Sequence, residues 1–356
     1  MSTAVKQRPV TGKGRRVPVR VGRVSLRLHP RSFVVGTALL LVALGMALVN
    51  LSSGDLPVAV PDVLRSLAGR GDAGTDFIVY ELRLPRVLVT LLVGAALGAS
   101  GTIFQSLTRN PLGSPDFVGL TFGAATGALV VMLILGGGGV QVSVGAIIGC
   151  LLTAVGIYLL AFRRGIQPFR LVLMGVGVSA LLEAANSYLI YKARLDEAVA
   201  AQVWMIGSVN GRTWTHVTMV AGAVAVFLPV ALYYGRHLSM LALGDEIAVL
   251  HGVPVERSRG FLALSAVGLS AGATAAAGPI AFVALAAGPL AARLTRSPNA
   301  GILPAAMMGA AILTVSDWGA QRALSTQDIP VGVVTAALGG AYLCWLLFRE
   351  HRTRSV

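Results

Sequence analysis

The sequence predicts an all-α membrane protein of about ten transmembrane helices, and three observations predict it. Hydrophobic residues fill 55% of the 356 positions and charged residues only 12%, against roughly 25% charge in an ordinary soluble domain. The mean hydropathy is +0.76. The apolar residues gather into runs near the ~20 residues that a bilayer-crossing helix needs, enough for nine or ten spans with little left for a soluble domain. A soluble enzyme and a nucleic-acid reader are excluded at the outset.

The elements follow in order. Residues 1–32 form a basic cytoplasmic tail. Lys6, Arg8, Lys13, Arg15, Arg16, Arg20, Arg23, Arg27 and Arg31 precede the first apolar run, a block that reads as a solvated arm beside an anionic leaflet. Charge gathered there, not along a reading face, gives no nucleic-acid partner. The run 33–51 is long enough to span and is followed by many more, so it reads as an uncleaved first helix and not a signal peptide. Further spans are expected near 87–107, 117–135, 140–162, 171–191, 215–235, 260–277, 280–294, 302–316 and 331–348, together a ten-helix transmembrane domain over 33–348. Residues 349–356 close the chain as a second tail. Ten spans put both termini on one side. With that side cytoplasmic, twenty-one of the 29 basic residues lie inside and eight outside, and the split is twelve to eight without the tail, as the positive-inside rule requires.

Small residues crowd the spans at four-residue spacing: Gly94, Gly98; Gly123, Gly127; Gly145, Gly149; Gly268, Gly272. That spacing lets helix backbones approach closely in lipid. Gly101-Thr102-Ile103 with Pro111-Leu112 faintly echoes Gly278-Pro279-Ile280 with Pro289-Leu290, and internal repeats are common in transporters. Cys150 and Cys344 fall in apolar runs and are expected as small buried hydrophobes. Glu183 is the acid set deep within a span. It either pairs with Ser or Asn neighbours or lines a pathway.

Several chemistries lack their residues. None of the three lysines, Lys6, Lys13 and Lys192, stands in a G-x-x-x-x-G-K-[ST] phosphate loop, so the chain is not its own ATPase of that type. The five histidines and two cysteines form no close ligand set for a bare metal, and no nucleophile–base pair suggests catalysis. The chain is expected to bind no metal or cofactor.

Two loops carry charge and pattern instead. The stretch 238–259, the longest inner connection, holds apolar residues at Leu243, Ile247 and Leu250 between glycines Gly244 and Gly252. Two short helices there either lie at the membrane surface or present a docking face. On the outer side stand Arg83 and Arg86, with Arg322 in the last outer loop beside Asp317. Their guanidiniums either snorkel to lipid headgroups or pair with carboxylates of a partner.

Taken together these residues resemble a family. Arg83-Leu84-Pro85-Arg86, Gly94-Ala95-Ala96-Leu97, Ser100-Gly101 and Gln105 lead into Arg109-Asn110-Pro111-Leu112-Gly113-Ser114-Pro115-Asp116-Phe117-Val118-Gly119. Trp204-Met205-Ile206-Gly207-Ser208 with Trp214, Leu243-Gly244-Asp245-Glu246-Ile247-Ala248 with His251-Gly252-Val253, and Gly278-Pro279-Ile280-Ala281-Phe282-Val283 follow. Asp317, Arg322 and Ile329-Pro330-Val331-Gly332-Val333-Val334-Thr335 complete the set. Over about residues 35–350 they resemble the FecCD-type permease subunits of bacterial ABC importers for iron–siderophore, haem and cobalamin.

The resemblance implies the type II importer fold, packed as a dimer of permeases around a central path. It implies two cytoplasmic ATPase subunits, which use ATP and Mg, docked on the loop of Leu243, Gly244, Asp245, Glu246, Ala248, Gly252 and Val253. It implies an extracytoplasmic binding protein that meets Arg83, Arg86 and Arg322, and a cytoplasmic gate formed by Asn110 and Leu112. Ferric siderophores are the leading cargo, with haem, cobalamin or another metal chelate as the alternative. An ion-coupled secondary transporter would have to use Glu183. The chain departs from the family pattern at Ala284-Leu285, Pro289-Leu290 and Gly339-Gly340-Ala341-Tyr342-Leu343. That drift suits one half of a heterodimer.

Overall fold

The computed structural model describes residues 17–21, 24–28, 30–54, 56–116, 119–161, 168–297, 301–323 and 329–354. The first 16 residues of the tail, and Arg23, Arg163 and Arg164 of the positive-inside count, lie outside them.

A short antiparallel hairpin comes first. β1 (Val17–Val21) pairs with β2 (Val24–Leu28), with Val17 opposite Leu28 and Val21 opposite Val24. The tail reading passed over it. The signal was present, since Val17, Val19, Val21 and Val24, Leu26, Leu28 alternate with the period of two that marks a strand.

Fifteen α-helices follow among the described residues: α1 (Pro30–Ser52), α2 (Val60–Leu67), α3 (Ala73–Phe77), α4 (Leu84–Thr108), α5 (Leu120–Leu129), α6 (Val140–Ala161), α7 (Pro168–Lys192), α8 (Leu195–Ile206), α9 (Trp214–Tyr233), α10 (Gly235–Leu241), α11 (Asp245–Leu250), α12 (Val255–Ala277), α13 (Val283–Thr295), α14 (Ile302–Ala323) and α15 (Val331–Arg354). A π-helical turn (Ile78–Arg83) joins α3 to α4, and another (Val130–Ile134) extends α5. Seven helices are long and apolar enough to cross a membrane, and three shorter apolar ones, Leu120–Ile134, Val283–Thr295 and Val331–Trp345, complete the ten expected spans. α15 runs on to Arg354, so the expected closing tail begins as helix.

α4 is the central post, packed by α14, α12, α13 and α9. Lipid supplies no hydrophobic drive between helices, so close backbone contact must hold them. The glycines provide it. A Cβ on Gly127 would strike the Gly145 carbonyl and one on Gly149 the Gly123 carbonyl, which makes the α5–α6 seam. Gly94 and Gly98 likewise meet Gly309 and Ala305 on α14. Pro289 sits inside α13 without breaking it. It has no N–H for the carbonyl of Leu285, and the Gln105 amide of α4 donates to that carbonyl at 2.9 Å.

Helix α8 occupies what the sequence reading left as an outer loop. Its capping residue Gly207, at φ +80°, meets the break between α12 and α13: the Ser208 N–H donates to the Ala277 carbonyl at 2.8 Å, and the Gly332 N–H to the Gly207 carbonyl at 3.1 Å. The ends of α8 and α12 and the start of α15 therefore meet at one level. Cys150 is buried as expected, whereas Cys344 is exposed on α15, because the helix turns that face away from the bundle.

The expected echo has a different register. Leu107-Thr108-Arg109-Asn110-Pro111 ends α4 and Leu294-Thr295-Arg296-Ser297-Pro298 ends α13. In both, the threonine hydroxyl donates to the carbonyl four residues back, Phe104 at 2.7 Å and Ala291 at 2.8 Å. Both arginines cap in the left-handed region at φ +51°. The next N–H closes each cap, Asn110 to the Gln105 carbonyl and Ser297 to the Ala292 carbonyl, both at 3.1 Å. These are Schellman-type caps, made twice.

Candidate functional site

Two ends of the bundle carry the chemistry. One is the tail face, where α1 and α12 begin and α4, α13 and α15 end. The other is the far face.

On the tail face, α10 and α11 form an elbow closed by a turn at Gly252, whose φ of +73° suits glycine. Leu238, Leu241, Ala248 and Val253 are buried and seat the elbow on the bundle, while Leu243, Ile247, Val249 and Leu250 are exposed, Leu250 to 84%. Glu246 is exposed beside them. The expected two short helices are present with an uncovered apolar surface between charges.

Asp245 opens α11 and gathers cations. Its Oδ1 accepts from Arg109 Nη2 at 2.5 Å and from Arg259 Nη2 at 2.8 Å. Arg259, on α12, is 5% exposed, and Glu256 stands 3.6 Å from its other amine. Arg109 also donates through Nε to the Leu241 carbonyl at 3.2 Å. Next to it, Asn110 Oδ1 accepts from the Leu112 N–H at 2.9 Å, which folds the short loop on itself and leaves Leu112 exposed. Thr102, Gln105, Ser106, Arg109, Asn110, Pro111, Ala242 and Gly288 line a cavity behind this loop. The sequence reading assigned roles to Asn110, Leu112 and Asp245 but not to Arg109 or Arg259, which are 136 and 14 positions from Asp245.

On the far face the three arginines converge on the segment that follows α1. Arg83 is half-buried and donates to the Leu51 carbonyl at 2.8 Å and to the Leu56 carbonyl, tying down the end of α1. Arg86 points inward: Nη2 meets Asp317 Oδ1 at 2.8 Å and Nε lies 3.3 Å from both oxygens. Asp317 is fully buried. Its second oxygen accepts from Gln321 Nε2 at 3.0 Å, and Asn50 on α1 donates to the Thr314 carbonyl at 3.3 Å. The Asp317 cation is thus Arg86 and not the neighbouring Arg322. Arg322 is exposed, donates to Ser53 Oγ at 3.1 Å and lies 4.8 Å over the Trp318 ring. Burial of Arg212 in the loop before α9 lowers its pKa from the ordinary guanidinium value.

Glu183 lies on an exposed face of α7 and has no hydrogen-bond partner among the described residues. Its neighbour Asn186 faces the other way, accepting from Thr126 at 2.7 Å. The structure adds a second acid, between α4 and α5. Asp116 accepts from Thr121 at 2.6 Å and lines a cavity with Met205, Ile206, Pro279, Ala281, Gly332 and Val333. Among the described residues no three His, Cys, Asp or Glu side chains group as metal ligands.

Comparison with known proteins finds relatives over most of the chain. The FepG permease protein of the ferric enterobactin transport system of Escherichia coli (strain K12) is 44% identical over 305 residues, 86% of this chain and 92% of its own length. The FhuG permease protein of the iron(3+)-hydroxamate import system of Bacillus subtilis (strain 168) is 33% identical over 85% of this chain and 93% of its own. A solved inward-facing structure assigned to the metal-chelate type of ABC transporter superposes with a TM-score of 0.80 at 26% identity, covering 88% of this chain and 99% of that one. The model of the FecCD transport family matches residues 26–349. The chain, an integral membrane permease of many spans, belongs to the FecCD transport family.

Proposed function

We propose that this chain is the permease subunit of an ATP-driven importer of ferric siderophores, with the tail face cytoplasmic and both termini inside. The observation that carries the reading is the α10–α11 elbow, a surface of four exposed apolar side chains seated on a buried footing. In this reading a cytoplasmic ATPase covers that surface on each of two permeases. The second permease is a similar, non-identical chain. The permeases enclose the path, and Glu183 on α7 lines it. The ATPases bind ATP and Mg, and this chain is not catalytic and holds no cofactor. Work enters because the nucleotide favours one arrangement of the ATPases over another, and the elbow passes that preference to the loop at Asn110 and Leu112.

A binding protein delivers the chelate to the far face. Arg322 and Arg83 stand at the rim for its carboxylates. Arg86 becomes available only in exchange for Asp317. Named relatives carry ferric enterobactin and iron(3+)-hydroxamate, and the cargo here is of that class. A path without clustered metal ligands among the described residues suits a cargo that crosses already chelated.

The test is purification of the tagged chain in mild detergent with its neighbours identified by mass spectrometry, followed by uptake of 55Fe-loaded enterobactin, haem and cobalamin. Recovery of an ATPase and a second permease, with uptake of the siderophore, is the expected result. A lone stable chain would overturn the reading, and haem or cobalamin uptake would move the cargo. In the same assay Glu183→Gln is expected to slow uptake with assembly unchanged.

A further inference from the structure

We propose that Arg109 is the positioning residue that carries movement of the α10–α11 elbow to the Asn110–Leu112 loop, with Arg109, Asp245 and Arg259 travelling as one ion-paired unit. The proposal rests on the reading of the elbow as the ATPase seat. Arg109 bridges both arms of that elbow. Nε holds the Leu241 carbonyl at the end of α10, and Nη2 holds Asp245 at the start of α11. Asp245 is pinned from the other side by Arg259, which is buried on α12. Separating the unit would take from the buried Arg259 its 2.8 Å carboxylate and leave it the more distant, exposed Glu256 at 3.6 Å, which is unfavourable, so the unit moves whole. At its other end Arg109 is joined by one peptide bond to Asn110, whose side chain already holds Leu112. A turn of the elbow therefore turns the loop.

The internal repeat shows that the ion pair is not needed for the cap itself. Arg296 ends α13 with the same left-handed φ, the same threonine back-bond and the same closing N–H. Yet Arg296 is exposed and has no side-chain partner among the described residues. The cap forms without an acid at α13, so the acid at α4 serves something besides the cap.

The experiment uses the complete complex with its ATPases, in a Cys344→Ser background so that buried Cys150 is the sole native cysteine. Leu112→Cys is labelled with a membrane-impermeant maleimide, without nucleotide and after trapping with ATP, Mg and vanadate. In the reference complex trapping should change the labelling rate on the order of fivefold or more, the scale of a coupling free energy between two sites. Arg109→Met should abolish that change in complexes that still carry their ATPases. Arg109→Lys, which keeps a charge but cannot span both acceptors, should reduce it, and it carries the test if the methionine variant is degraded. Arg296→Met should respond as the reference does. A full response in the Arg109 variants would overturn the link and leave the elbow reading standing, and so would an equal loss in Arg296→Met. A reference complex that retains its ATPase but shows no response would overturn the link as well. Failure to recover any ATPase would overturn the elbow reading itself.

Discussion

Arg86 and Asp317 lie 231 positions apart and meet beneath the far face, where the carboxylate is fully buried. Two donors besides Nη2 approach it, Arg86 Nε and the Gln321 amide. Removing one partner of a buried pair is costly because the other charge stays behind. Arg86→Met is expected to lower stability by about 3 kcal/mol, whereas Arg86→Met with Asp317→Asn should cost clearly less than the single changes summed. Thermal unfolding of the purified protein in detergent measures both. Strict additivity of the two changes would show that Asp317 is satisfied without Arg86. At this scale the sequence alone left the arginines between headgroups and partners. Both Arg83 and Arg86 turn out to hold parts of their own chain, Arg83 through carbonyls and Arg86 through Asp317.

Helices are held to one another by what their glycines omit. Across the α5–α6 seam the backbones of Gly123 and Gly127 lie directly on those of Gly145 and Gly149. Any side chain at Gly127 must push the Gly145 carbonyl aside, and backbone cannot swing away as a flexible side chain can. Gly127→Leu should therefore destabilise the protein by at least about 2 kcal/mol, read as a lower melting temperature or loss from the membrane. Gly222→Leu, on α9 with open space around its Cβ, should fall within about 0.5 kcal/mol of the parent. The four-residue spacing announced such seams in advance. It did not announce their pairing, and Gly268 and Gly272 meet not a glycine but Phe227 and Ala223 of α9.

For the whole molecule, the two faces divide the labour. The far face offers Arg322 exposed and Arg83 half-buried at one rim, while the tail face offers apolar side chains on the elbow. If the binding protein docks by charge, Arg322→Glu with Arg83→Glu should weaken its affinity at least about tenfold, and more at low salt than at high. Surface plasmon resonance against the captured permease is the measurement. Unchanged affinity would return both arginines to roles inside the chain. ATPase recovery should be unaffected, since the elbow lies at the opposite end.

The sequence by itself determined the class of the protein, the ten apolar spans, the small-residue faces and the family. Each of these is a local quantity: hydropathy over some twenty residues, spacing over four, or a motif read in order. Even the hairpin in the tail and the twin Leu-Thr-Arg caps were legible, as a period of two and a repeated pentapeptide. Only the tertiary structure decided which charges pair. Asp317 could have met its helix neighbour Arg322 but is reached by Arg86, and Asp245 joins α4 to α12 through Arg109 and Arg259. It also decided that Asp116 lines a cavity where α8 and α12 end and α15 begins. Buried charges must find partners wherever the packing of helices brings them, and that packing is a property of the bundle and not of any one segment.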